Sequence, residues 1–251
     1  MIADERYQQT LDYLYSFVDY SLQKTFRYSP EKFNLGRMRL LMEKLGDPDR
    51  VYPIIHVAGT KGKGSVSALC ASALQAAGYR TGLYTSPHLQ DYAERIQIDG
   101  CPIPHADLIS LLEEIKPTIE SIPELTTFEI TTALAYLYFR AQGVEVGVIE
   151  VGLGGRLDAT NVCHPLVTVI TSLSYDHTQI LGNSLAEIAA EKAGIIKPGV
   201  PVVLAPQKEE AQVVLERIAS ERGAPLTLVG REYLFAPFAH SLVNQTLLVW
   251  P

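Results

Sequence analysis

The run Gly59-Thr60-Lys61-Gly62-Lys63-Gly64-Ser65 sets lysines and a hydroxyl among glycines. Glycines let backbone amides approach an anion closely, and a helix that starts there adds roughly half a positive charge. Lys63 has the reach for β- and γ-phosphates, and a hydroxyl at a helix start can hold magnesium. The strict pattern GxxxxGK[ST] is not met. Val57 stands at its first glycine, Gly64 at its hydroxyl position, and the serine follows one place later at Ser65. The β-branched stretch 52–58 before the run reads as a strand, and alanine-rich 65–77 after it as a helix. Strand, glycine loop and helix together mark a phosphate loop for a nucleoside triphosphate.

Phosphoryl transfer also needs magnesium, a hard cation that prefers oxygen ligands. Glu150 ends the apolar run 144–149, where a carboxylate is costly without a partner. A second glycine loop follows it, from Gly152 to Asn161. Asp176-His177 lies just past the apolar run 166–171, and Ser86 just past 80–85. Taken alone, His177 reads better as a hydrogen-bonded structural histidine than as a ligand. Ser86 alone reads as a turn serine before Pro87, and Lys192 as a solvent-facing lysine.

The elements that must position these groups alternate. Helices are expected over 5–22, 37–45, 105–119, 128–141, 184–194 and 209–221, with a polar break at Tyr28-Ser29-Pro30. Ser184 and Glu187 form a capping-box pattern. Strands are expected over 52–58, 80–85, 144–151, 166–171, 201–205 and 226–229, with a small hairpin over 95–103. Such alternation implies an α/β fold with a doubly wound, mostly parallel sheet, whose ligands bind beyond the carboxyl ends of the strands. The polar motifs cluster at those ends, which argues for one composite site. The expected organisation is a helical segment over 1–50 and an incomplete phosphate-loop domain over 51–251. The strand-like stretch 242–251 breaks off as though the chain were cut within it.

Composition bounds the rest. The 251 residues carry 21 Lys+Arg against 28 Asp+Glu, a net charge of −7, so no general basic field would draw in nucleic acid. The three cysteines form no CxxC pair, which fits a reducing compartment. No signal-peptide pattern or membrane-length apolar run occurs, so a cytoplasmic protein without a membrane partner is expected.

These motifs, in order, resemble the folylpolyglutamate synthase and dihydrofolate synthase family of the Mur ligase superfamily. The matching stretches are His56 to Ser65, Thr85-Ser86-Pro87-His88-Leu89 with Glu94-Arg95-Ile96, Thr127-Phe128-Glu129, Glu150 to Asn161, Asp176-His177, and Glu191 to Gly199. The resemblance implies an ATP-dependent ligase that joins L-glutamate to folate or dihydropteroate through an acyl phosphate, acting as a monomer. It implies that Gly59, Thr60, Lys61, Gly62, Lys63, Gly64 and Ser65 hold ATP. Ser65, Ser86, Glu150 and His177 would be the Mg2+ ligands. Thr126, Thr127, Phe128 and Glu129, with Leu157, Asp158 and Ala159, correspond to pterin-binding positions. Lys63, His177 and Lys192 would serve catalysis, Lys192 as the lysine that the family carbamylates. Family members continue into a C-terminal domain with most of the glutamate site, so this stretch is not expected to complete catalysis unaided. Two alternatives remain open: a Mur-type ligase of cell-wall peptides, which shares the phosphate loop, and a non-catalytic nucleotide- or folate-binding fragment.

Overall fold

A computed structural model describes residues 2–18 and 35–251. The helices are α1 (Ile2–Tyr15), α2 (Leu35–Lys44), α3 (Lys63–Ala76), α4 (His105–Glu120), α5 (Thr127–Ala141), α6 (Thr178–Leu181), α7 (Leu185–Lys192) and α8 (Glu209–Glu221). The strands are β1 (Ile54–Ala58), β2 (Thr81–Tyr84), β3 (Ile96–Ile98), β4 (Cys101–Pro102), β5 (Val146–Glu150), β6 (Val167–Ile170), β7 (Val202–Leu204), β8 (Leu226–Leu228), β9 (Leu234–His240) and β10 (Gln245–Trp250).

Eight strands form one sheet in the order β4-β3-β2-β5-β1-β6-β7-β8. From β2 to β8 every pairing is parallel, and β3 and β4 join antiparallel at one edge as the expected hairpin. Helices cover both faces, so the inner strands are buried on both sides and read as mostly apolar runs. One core gathers Tyr7 and Leu14 of α1, Met38 and Leu41 of α2, the inner faces of α4 and α5, and Tyr84 and Ile149 of the sheet. Helix α5 lies at its centre and is buried from Thr127 to Phe139 except at Phe128, which is why its sequence is apolar nearly all round. Val57, Leu83 and Val148 meet α3 on the opposite face. Ile170, Val202 and Leu204 pack against Leu185 and Ala189 of α7 and Leu215 of α8.

The sequence expectation differs from the fold at α1, at the short helix α6, which was not expected, and at β9. Helix α1 ends at Tyr15 rather than near residue 22. Its exit is drawn to the start of α5, where Thr127 N donates to Val18 O (3.2 Å) and Thr127 Oγ1 to Leu14 O (2.9 Å). Leu22 and the break at Tyr28-Ser29-Pro30 lie outside the described residues. The strand expected over 242–251 is β10, but its partner β9 was not foreseen; the two form a separate two-stranded sheet. Pro237 inside β9 is the reason, since proline argues against a strand except where its missing N–H needs no partner. No helix among the described residues is long and apolar enough to cross a membrane.

Candidate nucleotide and metal site

Because β2, β5, β1 and β6 run parallel, the loops that follow them emerge at one edge of the sheet. Helix α3 begins at Lys63 after Gly62, which has φ 81°. The amides of the glycine run therefore lie at a helix N-terminus, where backbone N–H groups lack intrahelical partners and favour an anion. Behind them the loop is stitched to the exit of β6. Thr60 N and Lys61 N donate to Ser172 O (3.1 and 3.3 Å), and Thr171 Oγ1 donates to Lys61 O (2.9 Å). Gly59 has φ 151°, and an added Cβ would stand 1.7 Å from Thr171 Oγ1, so this contact excludes any side chain. Ser65 is exposed on the first turn of α3.

Glu150 ends β5 beside this loop. Its side chain accepts from Ser86 N (3.1 Å), and its Oε2 would lie 3.5 Å from a Cβ placed on Gly64. Glu150 is only 4% exposed. Burial pushes its pKa up, while the Ser86 amide and the Lys63 ammonium pull it down. Phosphate loop, Glu150 and the Ser86 turn thus meet as the strand-end argument expected.

Lys192 overturns the reading of a solvent-facing lysine: it is 4% exposed at the end of α7. Its ammonium donates to Gly59 O at 2.7 Å. Burial, then repulsion from Lys63, lowers its pKa to about 8 against the pull of Asp176 and Asp158. That electrostatic company places Lys192 among the same loops. The approach of α7 requires Gly194, where a Cβ would come within 2.3 Å of Arg156 Cα. Arg156 N donates to Glu191 O (2.8 Å), and its guanidinium pairs with the Glu191 carboxylate.

His177 follows the exit of β6 and stands at the start of α6. It has φ 47°, its side chain is 54% exposed, and Nε2 lies 3.8 Å from Asp176 Oδ1. No hydrogen bond or ion pair among the described residues ties its ring to Lys63, Ser65 or Glu150.

Of the expected pterin-binding positions, Phe128 touches the second glycine loop at Gly152. The Phe128 ring packs so tightly on Gly152 that a Cβ there would lie 2.5 Å from it. Thr126 and Glu129 are occupied as a capping box for α5, and Glu129 Oε1 is 3.4 Å from Arg37 Nε. Thr127 is spent on α1, as described above. Leu157 is half-buried and Ala159 buried. The Asp158 carboxylate is turned inward: Oδ1 accepts from Thr160 N (3.0 Å) and Thr160 Oγ1 (2.5 Å), and Oδ2 from Leu153 N (2.8 Å). Its side chain organises the second glycine loop, so this loop presents backbone and Leu157 rather than a free carboxylate. Behind it, His56 Nε2 lies 2.8 Å from Thr160 Oγ1. As a carboxylate, Asp158 can only accept, so Thr160 Oγ1 donates to it and accepts from His56 Nε2–H.

Sequence reasoning missed His56, Thr160 and Asp158 as one buried chain, although Asp158 two residues before Thr160 is a recognisable capping pattern for the short turn Ala159–Val162.

The donor set can be tested for magnesium. Among the described residues no three His, Cys, Asp or Glu side chains converge into a cage. Magnesium at a phosphate site does not need one, because it takes one or two carboxylates and draws its other oxygens from phosphates and water. A buried carboxylate at Glu150 with hydroxyls at Ser65 and Ser86 is a fitting set.

A parallel sheet with a glycine loop opening a helix after a central strand, and an acidic strand end beside it, is the architecture of an α/β phosphate-loop protein. Comparison with known proteins narrows this class. Residues 57–232 match the Mur ligase middle domain. A dihydrofolate synthase/folylpolyglutamate synthase of Bacillus subtilis (strain 168) is 47% identical over 200 residues, which are 77% of this chain and 46% of that protein. The solved structure of Mycobacterium tuberculosis folylpolyglutamate synthase complexed with ADP superposes with a TM-score of 0.88 at 36% identity, covering 98% of this chain and 55% of that one. A solved "FPGS-AMPPCP-folate complex" superposes at 0.85 with 38% identity, covering 94% and 57%. The chain belongs to the Mur ligase family, in its folylpolyglutamate synthase/dihydrofolate synthase branch. It spans about half the length of the relatives it matches.

Proposed function

We propose that this chain is the nucleotide- and metal-binding part of an ATP-dependent ligase that adds L-glutamate to folate or dihydropteroate. The observation that carries the proposal is the meeting of the Lys63 loop, Glu150, Ser86 and Lys192 at one sheet edge, in a chain whose relatives bear the matching names. The amides of Gly62 to Ser65, at the start of α3, receive the ATP phosphates, while those of Thr60 and Lys61 brace the loop on Ser172 O. Lys63, half-buried on the first turn of α3, compensates charge that spreads over the γ-phosphate. Ser65, Ser86, Glu150 and His177 would hold Mg2+, which when bound supplies positive charge to phosphate oxygens.

The pterin ring lies between Phe128 and the loop 157–159, and the carboxylate of the folate or dihydropteroate tail faces the γ-phosphate. Attack by that carboxylate breaks the bond to the β-phosphate oxygen, releasing ADP and leaving an acyl phosphate. The glutamate amine then attacks the carbonyl, forming the amide and releasing phosphate. Activation is needed because a carboxylate is a poor electrophile, and the protein contributes position and electrostatics. Carbamylation of Lys192 would turn a buried cation into an anion able to help hold magnesium. We further propose a cytoplasmic monomer without nucleic-acid or membrane partners. The half of the relatives that this chain does not match would complete the glutamate site.

The test is ADP release by a protein containing this chain together with that second half, given ATP, magnesium, dihydropteroate or tetrahydrofolate, and glutamate. Release that requires both acceptor and glutamate is expected. Release with a UDP-sugar peptide and an amino acid, and none with a pterin, would move the assignment to cell-wall peptide ligation.

A further inference from the structure

The geometry points to Gln207 as a positioning residue for the phosphate loop, an inference that rests on the nucleotide-binding role proposed above. Gln207 lies beyond the end of β7, in none of the motifs that carry the family resemblance. Its side-chain amide forms two bonds to the exit of β6: Oε1 accepts from Leu173 N (2.9 Å) and Nε2 donates to Thr171 O (2.9 Å). A primary amide presents the same donor and acceptor as a peptide unit. The β6–β7 ladder ends with Ala205 N donating to Ile170 O (3.0 Å), so Gln207 adds the next rung with its side chain.

What this rung holds is the floor of the phosphate loop. Thr171 N donates to Ala58 O (2.8 Å), Thr171 Oγ1 to Lys61 O, and Ser172 O receives the amides of Thr60 and Lys61. Thr60 Oγ1 donates to Ser174 O (3.2 Å). Gly59 has no spare room against Thr171, so a shift at Thr171 passes directly into the loop. Gln207 makes no hydrogen bond to the glycine run and acts only through residues 171–173. The same segment leads on to Asp176 and His177, so one amide fixes the origin of both sides of the site.

The experiment compares the wild-type chain with Gln207→Met, which keeps the shape and loses both bonds, and Gln207→Glu, which keeps the acceptor for Leu173 N and loses the donor to Thr171 O. Hydrogen exchange is followed at the amides of Thr60 and Lys61 and at those of 130–139 in α5, and ATP binding with magnesium is measured by calorimetry. In Gln207→Met, exchange at 60 and 61 should quicken by about tenfold and ATP should bind about tenfold more weakly, the factor for roughly one net hydrogen bond, while 130–139 keep their protection. Gln207→Glu sets a carboxylate oxygen against Thr171 O and should lose at least as much as Met, and it decides the matter if the Met variant does not fold. Unchanged exchange at 60 and 61, unchanged affinity, or protection lost equally in α5 would each overturn the role. Absence of ATP binding by the wild-type chain would instead remove the nucleotide reading, and this inference with it.

Discussion

Replacing His56 by glutamine should flatten the acid side of the stability curve. The imidazole is fully buried between Thr160 and Cys163, with Nδ1 3.7 Å from Cys163 Sγ. Burial first, then the Lys197 ammonium, lowers its pKa from 6.5 to about 3. Between those values the unfolded chain takes up a proton that the native state refuses. Stability is therefore fully kept above pH 6.5 and is lost progressively as pH falls toward 3. With pKa values of 6.5 unfolded and about 3 folded, the loss at pH 5 is about 2 kcal/mol. That is a large share of a typical domain stability of about 5–15 kcal/mol. Glutamine does not titrate, and its amide can donate to Thr160 in place of Nε2. The buried carboxyls of Glu129, Glu150 and Asp158, whose pKa values burial raises, titrate with the opposite sign, but they are common to both proteins and cancel in the difference. Urea unfolding at pH 7.5 and pH 5.0 measures it. The wild type should lose about 2 kcal/mol more than the variant between the two pH values. Equal losses would show that the imidazole titrates normally and is not held in the buried hydrogen-bonded chain to Asp158.

Gly59→Ala forces a methyl to within 1.7 Å of Thr171 Oγ1 and should cost about 1–3 kcal/mol in thermal unfolding while abolishing ATP binding; a variant like wild type in both would contradict the packing. Glu150→Gln should remove about tenfold of the magnesium-dependent gain in ATP affinity, measured by titration with and without the metal, and an unchanged gain would free Glu150 from the metal role. With its pKa near 8, the Lys192 amine is neutral in about half of molecules at pH 8, so 13C-bicarbonate should give a carbamate signal that is lost in Lys192→Met. A signal of equal size in that variant would exclude Lys192.

The sheet and the place of its loops were legible because parallel strands buried on both faces leave long apolar runs, each closed by glycine or a polar motif. Glu150 stood out for the same reason, as a carboxylate at the end of such a run. Lys192 did not: a lysine on a helix reads as solvated until Gly155 and Gly194 are seen to let the helix end touch the second glycine loop. Asp158 was placed in the right loop, but its inward turn depends on amides of Leu153 and Thr160 that come together only on folding. His56 and Gln207 were silent because each acts through hydrogen bonds to residues distant in sequence, for which a linear pattern carries no mark. Strand β9 was hidden by Pro237, and the end of α1 by contacts with Thr127 that override helical periodicity.

The central claim is that a nucleoside triphosphate sits on the glycine run at the start of α3. Calorimetric titration of the 251-residue chain with ATP and magnesium, beside Lys63→Ala, addresses it directly. Saturable binding by the wild type, weakened about tenfold or more in the folded variant, is the predicted result. No binding by the wild type, or equal affinity in the two proteins, would contradict it.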